Sequence, residues 1–312
     1  MPRDDAKADF SRERRRRALA RIVSRLRSEP DDVSYMLPFE EVVAALGRTS
    51  EHDLGIQVIP LESVVGTVDR SRASFDRDFR PSADVRARWE RIAAARRRGE
   101  SMPPIDVYRV GDLHFVKDGH HRVSVARAHG DVDIEARVRE VRTKLGAEQA
   151  LRLRDLPLKQ HERMFHERVP LAPEQRARIQ LEDEWRYAQL GMLVEAWAYR
   201  ASHERGELLS RHEMAQRWFK EEYEPIAQAL ADADAGGGGS ETERYMRLAM
   251  LRYLLLHTHA WTDEILERLL GEARNPSADL DTMVHQFLKE MREPPSPPLS
   301  SKLPGLVVSP SS

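Results

Sequence analysis

The sequence predicts an α+β domain, a small mixed sheet with helices, followed by an all-α domain. Apolar residues recur at helical spacing near the N-terminus and again through the second half of the chain. Between them lie short runs rich in β-branched residues, punctuated by Gly and Pro. The 312 residues are also long enough for two domains of roughly 100–200 residues each.

The first helix is expected from Phe10 to Arg27, with Leu19, Ile22, Val23 and Leu26 forming its apolar face. A second, in "SYMLPFEEVVAALG", places Phe39, Val42, Val43 and Leu46 on one side and ends at Gly47. These make up a basic segment, 1–50. The sheet domain, 51–145, opens with "LGIQVIPLESVVGT", where the helical period disappears: a strand, firmest from Ile56 to Ile59, with Pro60 and Gly66 marking a turn. "GTVDRSRASFDRDF" is too polar for a strand and reads as a loop. "SADVRARWERIAAARRRGE" is a helix with Ser82 as N-cap, Val85, Trp89 and Ile92 on its apolar face, and Gly99 at its end. Ile105–Val110 and Leu113–Lys117 alternate as a hairpin around Gly111-Asp112. A helix from His120 to His129, stopped by Gly130, leads to a strand in "VDIEARVREV".

The helical domain, 146–293, groups Ile179, Trp185, Leu190, Leu193, Val194, Trp197 and Tyr199 at helical spacing. Ser210 and Glu213 are spaced as a capping box, with Leu209 and Met214 placed for a staple. Trp185, Trp197, Trp218, Phe219 and Tyr223 are read as bundle core rather than a ligand cage. The tract 232–243 is a flexible Gly-rich loop by composition. "RYMRLAMLRYLLLHTHAWTDEILERLL" reads as a core helix pair and "SADLDTMVHQFLKEMRE" as a final helix. The Pro/Ser-rich tail 294–312 is expected to be disordered.

Composition excludes several chemistries. With no cysteine, disulfides, thiolate zinc sites and cysteine nucleophiles are ruled out. A metal would need His and carboxylates, yet His257 and His259 are two apart and cannot share a helix face, and the pairs His161/His166 and His203/His212 are no better placed. No metal site is expected. No window approaches the roughly 18 apolar residues of a membrane-spanning helix, so the expectation is a cytoplasmic protein with no membrane partner. Net charge is only −2, but 33% of residues are charged and the basic ones cluster. Arg14, Arg15, Arg16, Arg17 and Arg21 form one concentration, suited to nucleic-acid phosphates with salt-dependent affinity, or to a solvated helix face.

The stretch "HFVKDGHHRVSVARAHG" carries the candidate chemistry. A strand running through Asp118-Gly119 into a helix presents backbone N–H groups with the positive end of the helix dipole behind them, so an anion can bind there. Gly119 allows a phosphate close to the main chain, Arg122 can fork two donors onto it, and His120 and His121 add imidazoles that change charge near neutral pH. Arg70 and Arg72 are candidates to converge on the same anion, with Asp76 and Asp78 as their alternative, solvent-exposed partners. Asp118 is either the helix cap, the favoured reading, or a tentative catalytic base or cation ligand beside the phosphate.

Residues 55–141 resemble the ParB/sulfiredoxin-like (ParB N-terminal-like) domain. The resemblance rests on Ile59-Pro60-Leu61, the intervening helix, "PPIDVYRV" and the box "DGHHRVSVARAHG". At that box ParB proteins carry a Gly-Glu-Arg-Arg type sequence that binds nucleotide phosphates, and sulfiredoxins a Gly-Cys-His-Arg type. Gly119, His121 and Arg122 match the latter, while His120 stands where its catalytic cysteine would be. The resemblance therefore implies phosphate binding without sulfiredoxin reductase activity. No helix-turn-helix reader and no second phosphate motif follow Val141. The whole chain is similar to a bacterial family in which such a domain precedes a helical one. The resemblance implies a regulatory or nucleic-acid-associated protein that binds a nucleoside triphosphate with Mg2+. Two alternatives stand beside it: a small-molecule kinase-like phosphotransferase with Asp118 as base, and an inert box with a protein-binding helical module.

Overall fold

The computed structural model of the chain describes residues 2–26, 35–68, 74–147, 150–235, 237–256 and 260–274. The chain divides into two compact units, 1–165 and 166–312. The first takes in the basic segment 1–50 and residues 146–165 as well as the sheet domain.

The first unit is built on a mixed six-stranded sheet. Its strands are β1 (Leu37–Pro38), β2 (Arg48–Pro60), β3 (Val64–Thr67), β4 (Ile105–Val110), β5 (Leu113–Asp118) and β6 (Asp133–Thr143), in the spatial order β1-β3-β5-β4-β6-β2. The expected hairpin is the antiparallel β4/β5 pair, and β6 lies parallel to β4 and antiparallel to β2. Helices α1 (Pro2–Leu26), α3 (Arg86–Arg97) and α4 (His120–His129) share one core with the sheet, through Phe10, Trp89 and Val123 packed with Val107, Val116 and Val138. A second core joins α2 (Phe39–Leu46) to Val110, Leu113, Phe115 and Val141. α5 (Leu156–Arg168) closes the unit. α2 ends where expected, with Gly47 at φ +78°.

Four readings of the sequence need correction here. Gly66 is not a turn residue: it lies inside β3, where a Cβ would sit 2.3 Å from the Phe115 ring and 2.4 Å from the Leu37 carbonyl oxygen. The turn is instead a short 3-10 segment, Leu61–Ser63. Ser82 does not cap a helix, since α3 begins at Arg86 and the Ser82 hydroxyl is engaged by Asp84. Within α1 the buried face is Ala6 and Phe10, whereas Leu19, Ile22, Val23 and Leu26 face water. Arg17 is buried, its Nη1 donating to the Ser74 carbonyl at 3.3 Å, and so leaves the basic surface that Arg14, Arg15, Arg16 and Arg21 retain.

The second unit is helical: α6 (Pro173–Arg178), α7 (Glu184–Arg205), α8 (Arg211–Trp218), α9 (Glu224–Asp232), α10 (Glu241–Leu256) and α11 (Asp263–Arg274). The capping box is present, Ser210 accepting from the Glu213 N–H and Glu213 from that of Ser210. Substituting Ser210 with Ala is expected to lower stability by about 1 kcal/mol in urea unfolding followed by circular dichroism. A second box, Ser240 with Glu243, orders the end of the tract read as a flexible loop. A wide helical turn at Phe219–Tyr223 brings Trp218 and Tyr223 against Tyr245, with Phe219 packed on both of them, all buried, and 5.0 Å between the Tyr223 and Tyr245 ring centres. Trp185 and Tyr199 are instead exposed. His257, His259, the final helix and the Pro/Ser-rich tail lie outside the described residues.

Candidate functional site: the start of α4

β5 ends at Asp118, and Gly119, at φ +106°, turns the chain into α4. Glycine is required there on two counts, the left-handed backbone and a Cβ position only 2.5 Å from Ile105 Cγ2. Gly119, at the N-cap position, makes no side-chain cap bond. Asp118 is not the cap; its carboxylate pairs with Arg122, one turn on, and is 58% exposed. Gly119 itself brings no side chain to the cap, and the positive end of the α4 dipole lies at Gly119–Arg122.

Arg122 is anchored. Its Nη1 donates to the carbonyls of Pro103 and Pro104, both at 2.6 Å, and its Nη2 to Asp118. A guanidinium has five N–H donors, so Nε–H and one Nη2–H are left over. The side chain also lines a cleft of about 570 Å3. Ile92 of α3, Met102, Val125 and Ile134 supply its apolar wall, and Asp131, Asp133 and Glu135 its acidic side.

The two histidines turn the other way. His120 Nε2 shares a 2.7 Å hydrogen bond with Thr67 Oγ1, and its ring stacks on Phe75 and Phe79. His121 meets Phe75 edge-on at 5.2 Å, and its buried Nδ1 has no hydrogen-bond partner. Burial, then the neighbouring Arg88, His120 and Arg91, push its pKa down to about 4. His121 is therefore neutral at pH 7, which corrects the expectation that it changes charge near neutrality.

Phe75 and Phe79 belong to the loop that reads as polar. Asp76 folds it: Oδ1 accepts the N–H groups of Asp78 at 3.1 Å and Arg80 at 2.8 Å, while Phe79 is held at φ +59°. Asp76 is thus buried rather than solvent-exposed, and burial raises its pKa. Asp78 is exposed and pairs with Arg80 at 2.8 Å. Arg70 and Arg72 lie outside the described residues. Sequence reasoning missed Thr67, Phe75, Phe79, Pro103 and Pro104. The aromatic pair four apart in "SFDRDF" was the available signal, and the carbonyls of Pro103 and Pro104 gave none.

Beneath the site, Ser63 donates to the Pro60 carbonyl at 2.6 Å and so accepts from His114 Nδ1 at 2.8 Å. Burial, with Arg109 adding to it, brings the His114 pKa to about 4. A histidine whose folded pKa is depressed contributes full stability above its unfolded pKa near 6.5, and that contribution falls away as the pH drops toward 4. The expected loss for His114 between pH 7 and pH 4 is about 3 kcal/mol. Urea midpoints across that range should fall less steeply for His114→Gln than for the native chain. Equal slopes would contradict the assignment.

Among the described residues no three His, Asp or Glu side chains are grouped to hold a metal, and no helix is long and apolar enough to cross a membrane. No family model and no curated protein matches the chain. Among solved structures, the C2221 form of a Pnob8-like ParB-N domain aligns over 78% of this chain and 99% of its own at 9% identity, with a TM-score of 0.20, too low for a shared fold to be read from it.

Proposed function

We propose that the first unit binds a phosphate-bearing ligand, a nucleotide, at the start of α4, and that the protein acts as a nucleotide-responsive regulatory module. The observation that carries this reading is the place of Arg122, in the first turn of α4 after Gly119 and lining a cleft of nucleoside size. Phosphate oxygens would take N–H groups at the start of α4 and the remaining donors of Arg122. The apolar wall of the cleft suits a base, and its carboxylates accept hydroxyl or amino donors. The resemblance of the Gly119–Arg122 box to phosphate-binding sequences supports the same reading. Magnesium would accompany a triphosphate through the phosphate oxygens rather than through a protein cage.

Asp118 acts in this reading as the internal anion that a phosphate displaces, not as a base. Asp118→Asn is therefore expected to tighten nucleotide binding by about three- to tenfold, whereas Arg122→Ala abolishes it. The test is a thermal-shift panel of nucleoside mono-, di- and triphosphates, with and without magnesium, on the native chain and both variants. At about 100 times Kd the bound nucleotide should add roughly 2.7 kcal/mol of stability. No shift in the native chain, or an unchanged shift in Arg122→Ala, would refute the site. Weaker binding by Asp118→Asn would refute the displacement.

A further inference from the structure

α1 presents two different apolar faces. Phe10 and Leu19 are nine residues apart, about two and a half turns at 3.6 residues per turn, so they point to opposite sides. Ala6 and Phe10 are buried in the core at 0% and 1% exposure. Leu19, Ile22, Val23 and Leu26 form one stripe on the far side and remain 60%, 54%, 43% and 80% exposed. This stripe is the amphipathic pattern the sequence displays, yet the fold does not use it.

The charges around the stripe are one-sided. From Ser11 to Leu26 there are seven arginines and one glutamate, and both Glu13 and Arg17 are buried. Arg12, Arg15 and Arg16 stand seven residues, about two turns, before Leu19, Ile22 and Val23, so basic and apolar side chains continue one another along the same face. Arg12 and Arg16 are held by Asp9 at 2.7 Å and Glu13 at 2.8 Å. Arg15 is exposed on that face, whereas Arg14, Arg21 and Arg25, also exposed, lie toward the side of Phe10.

We propose that the outer face of α1 docks on an anionic lipid bilayer, with Leu19, Ile22, Val23 and Leu26 entering the interface and Arg12, Arg15 and Arg16, on the same face, meeting lipid phosphates. Charge complementarity selects this occupant. Nucleic acid would answer the arginines but leave four apolar side chains in water. A second copy of the chain, paired stripe to stripe, would bury them but set two arginine-rich helices side by side. A surface of continuous negative charge over an apolar interior answers both. The expectation of no membrane partner came from the lack of a spanning segment, and a helix lying on the surface needs none. This proposal does not rest on the α4 reading.

The test is co-sedimentation of the full chain with phosphatidylcholine vesicles, with and without phosphatidylglycerol. Leu19→Gln/Ile22→Gln and Arg15→Gln/Arg16→Gln serve as variants, since all four side chains are exposed on the same face. The native chain should pellet only with the phosphatidylglycerol vesicles and less so as salt rises, and each double variant should bind about tenfold more weakly or worse. Overturning results are a native chain left in the supernatant, equal binding to neutral vesicles, or unchanged binding by Leu19→Gln/Ile22→Gln. The proposal also falls if light scattering finds a dimer that the apolar variant abolishes. It falls equally if duplex DNA is bound in place of lipid, sensitive to the arginines and indifferent to the stripe.

Discussion

Gly119→Ala is expected to destabilise the first unit by about 2–4 kcal/mol and to remove its response to nucleotides. Two costs combine. At φ +106° an L-residue is strained, by roughly 1–2 kcal/mol. The new methyl would lie 2.5 Å from Ile105 Cγ2 and 3.1 Å from Arg122 Nη2, so β4 or the arginine must move. Either shift disturbs the guanidinium and the N–H groups that the proposed ligand needs. Gly130→Ala at the other end of α4 separates the two costs: φ there is +79°, and a Cβ would meet nothing within 4 Å. That variant should lose only about 1 kcal/mol and keep its nucleotide response. Urea unfolding and thermal shift of the two variants side by side check both statements.

Trp89→Ala is expected to cost about 3–5 kcal/mol, among the largest effects in the chain. Trp89 is fully buried where α1, α3 and α4 meet. Its indole N–H donates to Ser124 Oγ at 2.8 Å, and its ring receives Phe10 edge-on at a 5.6 Å centroid distance. Removing it leaves a cavity and an unpaired hydroxyl on α4, and loosens the anchor of α1. Limited trypsin digestion should then cut the arginine-rich α1 faster than in the native chain. Trp89→Phe keeps most of the volume and should lose only about 1–2 kcal/mol.

Much of the first unit was legible because period and punctuation agree locally. The β4/β5 hairpin turns at Gly111 and α4 runs between two glycines; in the second unit Ser210 with Glu213 likewise announces α8. What escaped depends on partners distant in sequence. Gly66 looks like a turn residue, and only the Phe115 ring packed over it explains a glycine inside a strand. Asp118 has the spacing of a cap, but an arginine one turn away competes for its carboxylate. The stripe on α1 predicted a helix correctly and its buried face wrongly, because Phe10 docks by its fit against Trp89 rather than by the length of an apolar run. At the site, Gly119 and Arg122 stand together at the start of α4, while the His120 and His121 side chains turn to Thr67 and Phe75. The aromatic wall from Phe75 and Phe79 and the carbonyl anchors of Arg122 are properties of the folded loops alone.

The central claim is that the ligand sits on the N–H groups at the start of α4 and on Arg122. Amide chemical shifts of the isotopically labelled chain, titrated with a nucleoside triphosphate and magnesium, test it directly. The account predicts that the amides of Gly119, His120, His121 and Arg122, and the Arg122 side-chain Nε–H, move first and saturate together, with residues 130–135 of the cleft following the same curve. Saturating shifts confined to other segments, with these amides unmoved, would contradict it.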